Sequence, residues 1–183
     1  MKKLFILLAV LVIAGNVEAK IRVGVKGGLN FASLPDNTSE IFESRTGWHA
    51  GVMLNVGLPL GLSLQPELLY SSKGANMKTG IPSEPTKSTS FDYAEVAVDV
   101  QWGIGLPLVR PFVSLTPYIG YAIGSDFPMT QVNNWDGGIG VGIGADVWKL
   151  QVSLKYCWGF GKVSDLTFDS TNRNVMLSLG FFL

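Results

Sequence analysis

Few side chains in this 183-residue sequence could do chemistry, and its single histidine is His49. Nucleophilic catalysis needs a serine or cysteine beside a base, and a third group to orient that base. Ser71, Ser72 and Glu67 could complete a Ser–His–Glu set with His49. The more economical reading of a lone histidine among apolar and small polar neighbours is a hydrogen-bonded interior residue. Gly140, Gly142 and Ala145 have the spacing of a dinucleotide fingerprint. That chemistry also requires a helix N-terminus behind the glycines, and the residues after Ala145 continue as alternating strand, turn and strand. Asp36, Glu40, Glu43, Asp165 and Asp169 offer oxygen atoms to a cation, but without the ordered spacing of a calcium loop. The one cysteine, Cys157, excludes an internal disulfide framework and a cysteine-cluster zinc site. No catalytic residue, cofactor or metal site is expected, and the protein is not expected to be an enzyme.

The remaining ionisable candidates form a balanced set. Arg22, Lys26, Lys73 and Lys155 are basic; Glu67, Glu95, Asp99 and Asp146 are acidic. They share a position in a period-two pattern that runs through the chain. From Ile21, the alternate residues Ile21, Val23, Val25, Leu29 and Phe31 are apolar, and Arg22, Lys26 and Asn30 lie between them. In a strand these two sets face opposite ways. The same alternation recurs over residues 46–58, 62–73, 91–102, 112–123, 135–147, 150–161 and 173–183. Each of these eight stretches has roughly ten residues or more, the length of a tilted membrane strand. An ordinary globular strand has about five or six.

The connections alternate as well. Long polar loops fall near 35–45, 76–90, 124–134 and 163–172, and short turns near 59–61, 105–110 and 148–149. Outer-membrane barrels have that asymmetry of turns and loops. Trp48, Trp102, Trp135 and Trp158 lie on the apolar set near strand ends, where an aromatic girdle belongs. The sign of the pattern follows from composition. Charged residues are 15% of the chain, and a soluble surface needs roughly 25–35%. The less apolar face of residues 135–147 is mostly glycine, so neither face suits water. The apolar face therefore meets lipid, and the sheet must close, because lipid cannot satisfy an open edge. The expected fold is all-β: an eight-stranded antiparallel up-and-down transmembrane β-barrel.

Met1-Lys2-Lys3, the apolar run from Leu4 to Ala14, and Val17-Glu18-Ala19 have the layout of a signal peptide cut after Ala19. Residues 1–19 are expected to be removed, leaving residues 20–183 as one barrel domain with both termini on the periplasmic side. Equal numbers of basic and acidic residues, with no basic block, argue against nucleic acid as a partner.

Two segments carry a family likeness. Val23-Gly24-Val25-Lys26-Gly27-Gly28-Leu29-Asn30-Phe31 and Leu64-Gln65-Pro66-Glu67-Leu68-Leu69-Tyr70-Ser71-Ser72-Lys73-Gly74 resemble the porin-family outer-membrane β-barrel domain that includes PorT-like proteins. Pro117-Tyr118-Ile119-Gly120-Tyr121 and Asn172-Arg173-Asn174 are similar too, and the chain looks like the small OmpX-like eight-stranded barrels. The resemblance implies a Gram-negative outer-membrane location, lipid and the barrel-assembly machinery as partners, and no single activity. PorT itself is tied to protein secretion. One departure is the final residue: Phe181-Phe182 are followed by Leu183, where assembly signals commonly end in an aromatic.

An eight-stranded barrel is just wide enough for side chains to fill. Arg22, Lys26, His49, Glu67, Lys73, Glu95, Asp99, Asp146 and Lys155 are thus expected to form a polar network in the lumen. The leading expectation is a non-enzymatic structural or surface-interaction barrel with a filled lumen, contacting an extracellular partner through its loops. The alternatives are a low-conductance channel for small solutes and an accessory to a secretion system.

Overall fold

The computed structural model describes residues 20–33, 42–44, 46–77, 87–125, 135–160 and 173–183. The expected signal peptide at 1–19 and the tips of the four long loops lie outside these residues. Eight long strands run β1 Ile21–Ser33, β2 Thr46–Gly57, β3 Leu62–Met77, β4 Lys87–Gly103, β5 Val109–Ser125, β6 Trp135–Val147, β7 Leu150–Gly159 and β8 Arg173–Phe182. A three-residue strand, Phe42–Ser44, pairs with Ala75–Met77 at the far end of β3. Every long strand is antiparallel to its chain neighbours, and β1 pairs with β8 over Gly24–Ser33. The sheet is a closed eight-stranded up-and-down barrel, so it has no free edge.

Closure explains why the alternation is so regular. Along β7, Gln151, Ser153, Lys155 and Cys157 are buried while Leu150, Val152 and Leu154 are exposed. Along β8, Asn174, Met176, Ser178, Gly180 and Phe182 are buried and Leu177, Leu179 and Phe181 are exposed. A water-soluble protein would reverse this assignment. The apolar side chains form the outer wall and the polar ones the core.

Three strands outrun their expected bounds. β3 and β4 stay paired out to Met77↔Lys87, and β5 begins at Val109 and runs to Ser125. The ladder continues past the apolar band through Asn76, Ser88, Thr89 and Ser90, which are polar on both parities. Period-two polarity ends there, while the hydrogen bonds do not.

Tryptophans mark both ends of the band. Towards the long loops, Trp48 meets Tyr70 with ring centroids 5.2 Å apart, Trp135 meets Tyr121 at 5.1 Å, and Trp158 meets Tyr156 at 4.7 Å. At the short-turn end, Trp102 donates its indole N–H to the Leu60 carbonyl at 3.1 Å. Each ring keeps an apolar body on the outer wall, as amphipathic aromatics do at a headgroup boundary.

Candidate functional site

The centre of the lumen is an alternating row of four charges, Lys26–Glu67–Lys155–Asp99. Lys26 of β1 donates to Glu67 Oε1 of β3 at 2.5 Å. Lys155 of β7 lies 3.6 Å from Glu67 Oε2 and 3.1 Å from Asp99 Oδ2 of β4. All four side chains are at most 3% exposed. Buried charges need this pairing, because an isolated one would carry the full desolvation penalty. Neutral donors complete the carboxylates. Gln65 Nε2 donates to Glu67 Oε1 at 2.8 Å, Gln101 Nε2 donates to Asp99 Oδ2 at 3.0 Å, and the Thr116 hydroxyl donates to Asp99 Oδ1.

From these charges the network descends to the short-turn mouth. Gln65 and Gln151 exchange amide hydrogen bonds at 2.9 and 3.1 Å, and Gln151 donates to Asp146 Oδ1 at 2.8 Å. Two guanidinium groups meet at Asp146 Oδ2: Arg22 at 2.7 Å and Arg110 at 3.4 Å. Arg110 also donates to Ser63 Oγ at 3.0 Å and to the Gly61 carbonyl at 2.9 Å. In the sequence Arg110 falls at the end of the short turn near 105–110. Its parity with Phe112, Ser114 and Thr116 was the signal that it points inward.

Toward the long loops the lining changes. Leu69, Cys157 and Met176 form an apolar layer with Tyr118 against it, and Cys157 Sγ lies 3.7 Å from Met176 Sδ. Glu95 is buried two inward positions from Asp99 along β4, opposite Gly120. Lys73 is paired in β3 with Phe91 of β4, and its side chain lies outside the described residues.

His49 of β2 bonds to β1 and β8. Its Nδ1 is 2.8 Å from Asn30 Oδ1 and its Nε2 is 2.9 Å from Ser178 Oγ. Asn30 Nδ2 donates to Ser71 Oγ at 2.9 Å. Asn30 therefore accepts through Oδ1, which assigns the imidazole proton to Nδ1 and makes the Ser178 hydroxyl the donor to Nε2. The contemplated Ser–His–Glu set is not assembled, because Lys26 and Gln65 hold Glu67 and Asn30 holds Ser71. Ser178 becomes the partner because Gly28 separates β2 from β8: a Cβ there would sit 2.8 Å from His49 Cε1. Asn30–His49–Ser178 has the order of an orienter, base and nucleophile. Ser178 is buried, however, so its hydroxyl faces neither lipid nor bulk water.

The glycine row of β6 makes room for the filling. A Cβ at Gly144 would lie 2.4 Å from Phe112 Cζ, one at Gly142 2.8 Å from Lys155 Cγ, and one at Gly138 2.6 Å from the Tyr118 hydroxyl. Those absent side chains let the ring, the aliphatic stem and the phenol cross the lumen. No dinucleotide geometry accompanies them, since β6 passes directly through a two-residue turn into β7. Among the described residues, no cluster of His, Cys, Asp or Glu could hold a metal ion.

A closed barrel with an apolar outer wall, aromatic ends and a paired-charge core is an integral outer-membrane β-barrel. Residues 14–165 match the family model for the outer membrane protein beta-barrel domain, and the chain belongs to that family, which places it in the Gram-negative outer membrane. No curated protein matches the chain. Among solved structures, Neisserial surface protein A (NspA) is similar with a TM-score of 0.55 and 16% identity, covering 89% of this chain and 96% of that one. Ail, the attachment invasion locus protein of Yersinia pestis, solved with the heparin analogue sucrose octasulfate, gives 0.50 and 13%, covering 90% and 99%. OprG of Pseudomonas aeruginosa gives 0.50 and 9%, covering 89% and 94%. At these identities the likeness is one of fold alone.

Proposed function

We propose that this protein is a non-enzymatic barrel with a filled lumen, whose role is structural or exercised at the cell surface through its long loops. The observation that carries this reading is the Lys26–Glu67–Lys155–Asp99 row, which occupies the middle of the lumen with charges already partnered by each other. A solute path would need those charges to face water or solute. The test is single-channel recording of the refolded barrel in a planar bilayer, with folding checked by heat-modifiable mobility. A silent bilayer is expected, and discrete reproducible steps would overturn the reading.

In this proposal residues 1–19 are removed, the barrel-assembly machinery inserts residues 20–183, and both termini face the periplasm. The loops then project outward. Ail was solved with a heparin analogue, so sulfated glycans belong in the first binding screen on intact cells. A conducting path is the second reading. It draws support from Ser114 Oγ, Ser153 Oγ and both amide atoms of Asn174, which are buried without a hydrogen bond to protein among the described residues. A secretion accessory is the third, resting on the resemblance of residues 64–74. It predicts co-purification with a secretion complex and loss of secreted cargo on deletion.

A further inference from the structure

The short-turn end carries leucines where a turn in water would carry polar residues. Its first turn reads Gly57-Leu58-Pro59-Leu60 and its second Gly105-Leu106-Pro107-Leu108, the same tetrapeptide twice. Leu60 is 88% exposed, Leu108 83% and Trp148 of the third turn 83%. Leu60 and Trp148 have φ of 61° and 55°, and they are the described non-glycine residues with positive φ. Glycine or asparagine takes that conformation at little cost, while a branched or bulky residue is strained there. The strain is retained at the two positions that point the largest apolar side chains outward.

Part of the backbone of these turns is hydrogen-bonded within the protein. Pro59 and Pro107 have no N–H to satisfy. Leu58 N donates to Leu62 O at 2.8 Å, Ile104 N to Pro111 O at 3.1 Å and Leu106 N to Val109 O at 3.0 Å. Leu62 N donates back to Pro59 O. The Leu60 carbonyl accepts from Trp102, the Gly61 carbonyl from Arg110, and the Lys149 carbonyl from Phe182 N at 2.8 Å. Each of these bonds reduces the polar backbone that the turns would have to desolvate at a lipid boundary.

Charge is arranged to match. No ionisable residue lies between Gly57 and Leu62 or between Gly103 and Val109, and Arg110 folds into the lumen mouth. Lys149 holds its ammonium 5.9 Å from the Phe181 ring centroid, a stem laid on the outer wall with its head free to reach the boundary. The leucines continue the lipid-facing band through Trp102, Ile104 and Leu150. Just above them the wall is indented by a groove of about 590 Å³ between Ile104, Pro111, Ala145 and Val152.

We propose that the short-turn end is a lipid-seated rim. Leu60, Leu106, Leu108 and Trp148 sit in the acyl–headgroup boundary of the phospholipid leaflet they face, and the groove above them takes an acyl chain. The barrel is flush with that leaflet and projects only on its long-loop side.

The test uses the full mature barrel in phosphatidylethanolamine–phosphatidylglycerol vesicles. Leu60→Cys and Leu108→Cys, each in a Cys157→Ser background, are labelled with an environment-sensitive fluorophore after heat-modifiable mobility confirms folding. Blue-shifted emission, quenching by lipids brominated on the acyl chain and several-fold slower iodide quenching are expected. Water-like emission with unhindered iodide quenching would overturn the proposal. Shielding from both quenchers would overturn it in favour of a protein contact. Leu60→Asn decides the matter without a label. Asparagine suits φ of 61°, so a turn in water would be stabilised by it. A turn in lipid must desolvate the amide, and we expect the unfolding constant in vesicles to rise several-fold; a fall would overturn the proposal.

Discussion

Glu67→Gln keeps the shape of a side chain at the centre of the lumen and removes its charge. It leaves two cations, Lys26 and Lys155, sharing one anion, Asp99, in a site where the side chains are at most 3% exposed. At an effective dielectric of roughly 20, charges separated by the observed 2.5 and 3.6 Å attract by roughly 7 and 5 kcal/mol. The amide still accepts from Lys26 and Gln65, and desolvation already offsets part of the attraction. The expected net loss is therefore that of breaking a buried pair from one side, about 3–5 kcal/mol. Urea unfolding in lipid vesicles, followed by tryptophan emission and heat-modifiable mobility, should show the unfolding constant rise by about a hundredfold to a few thousandfold. The companion is Lys26→Met with Glu67→Leu, which removes both members and leaves Lys155 paired with Asp99. Replacing a whole buried pair with apolar residues is often near neutral, so the double variant should recover most of the loss. A cost under about 1 kcal/mol for Glu67→Gln would refute the dry paired row of charges, because only water could then be solvating Lys26. A double variant as unstable as the single one would refute charge pairing as the cause.

Gly144→Ala places a Cβ 2.4 Å from Phe112 Cζ and 2.6 Å from the Val152 carbonyl; an overpacking loss of about 1–3 kcal/mol is expected in the same assay, only partly recovered by adding Phe112→Leu because the carbonyl stays. Ser178→Ala removes one hydrogen bond to His49 and should cost about 1 kcal/mol, with no change in phospholipid hydrolysis; wild-type hydrolysis lost in this variant would overturn the structural reading of Asn30–His49–Ser178. A lysine appended after Leu183, whose amide donates to Val23 O at 2.9 Å, should lower outer-membrane yield, and undiminished yield by quantitative blotting would sink that expectation.

The strands were legible because a closed barrel imposes one rule on every residue between two boundaries. Outside those boundaries the rule lapses, so residues 87–90 read as loop in the sequence although they are paired in β4. Parity also tells which wall a side chain faces, and carried back from Phe112 it places Arg110 inside, although residues 105–110 read as a turn. Partners are another matter. Ser178 reaches His49 across 129 residues of sequence, through the β1–β8 closure and over a glycine. Nothing local to either residue carries that information. The same holds for Asp146, which lies 124 residues from Arg22. Register around the barrel decides these meetings, and register follows from side-chain shape at many positions at once.

A soluble domain keeps its apolar side chains in the core and can vary its polar surface freely. Here the apolar surface is dictated by lipid, and the polar core must satisfy itself. The best-connected lumen residues have several partners: Gln65 bonds to Glu67 on its own strand and to Asn55 and Gln151 on others, and Asp146 to Arg22, Arg110 and Gln151. Such a core resists change one residue at a time, since removing any member strands its partners without water. The wall is constrained by the bilayer and the core by its own pairing. The part of the chain left free to acquire a specific task is the loop side, where the period-two rule ends.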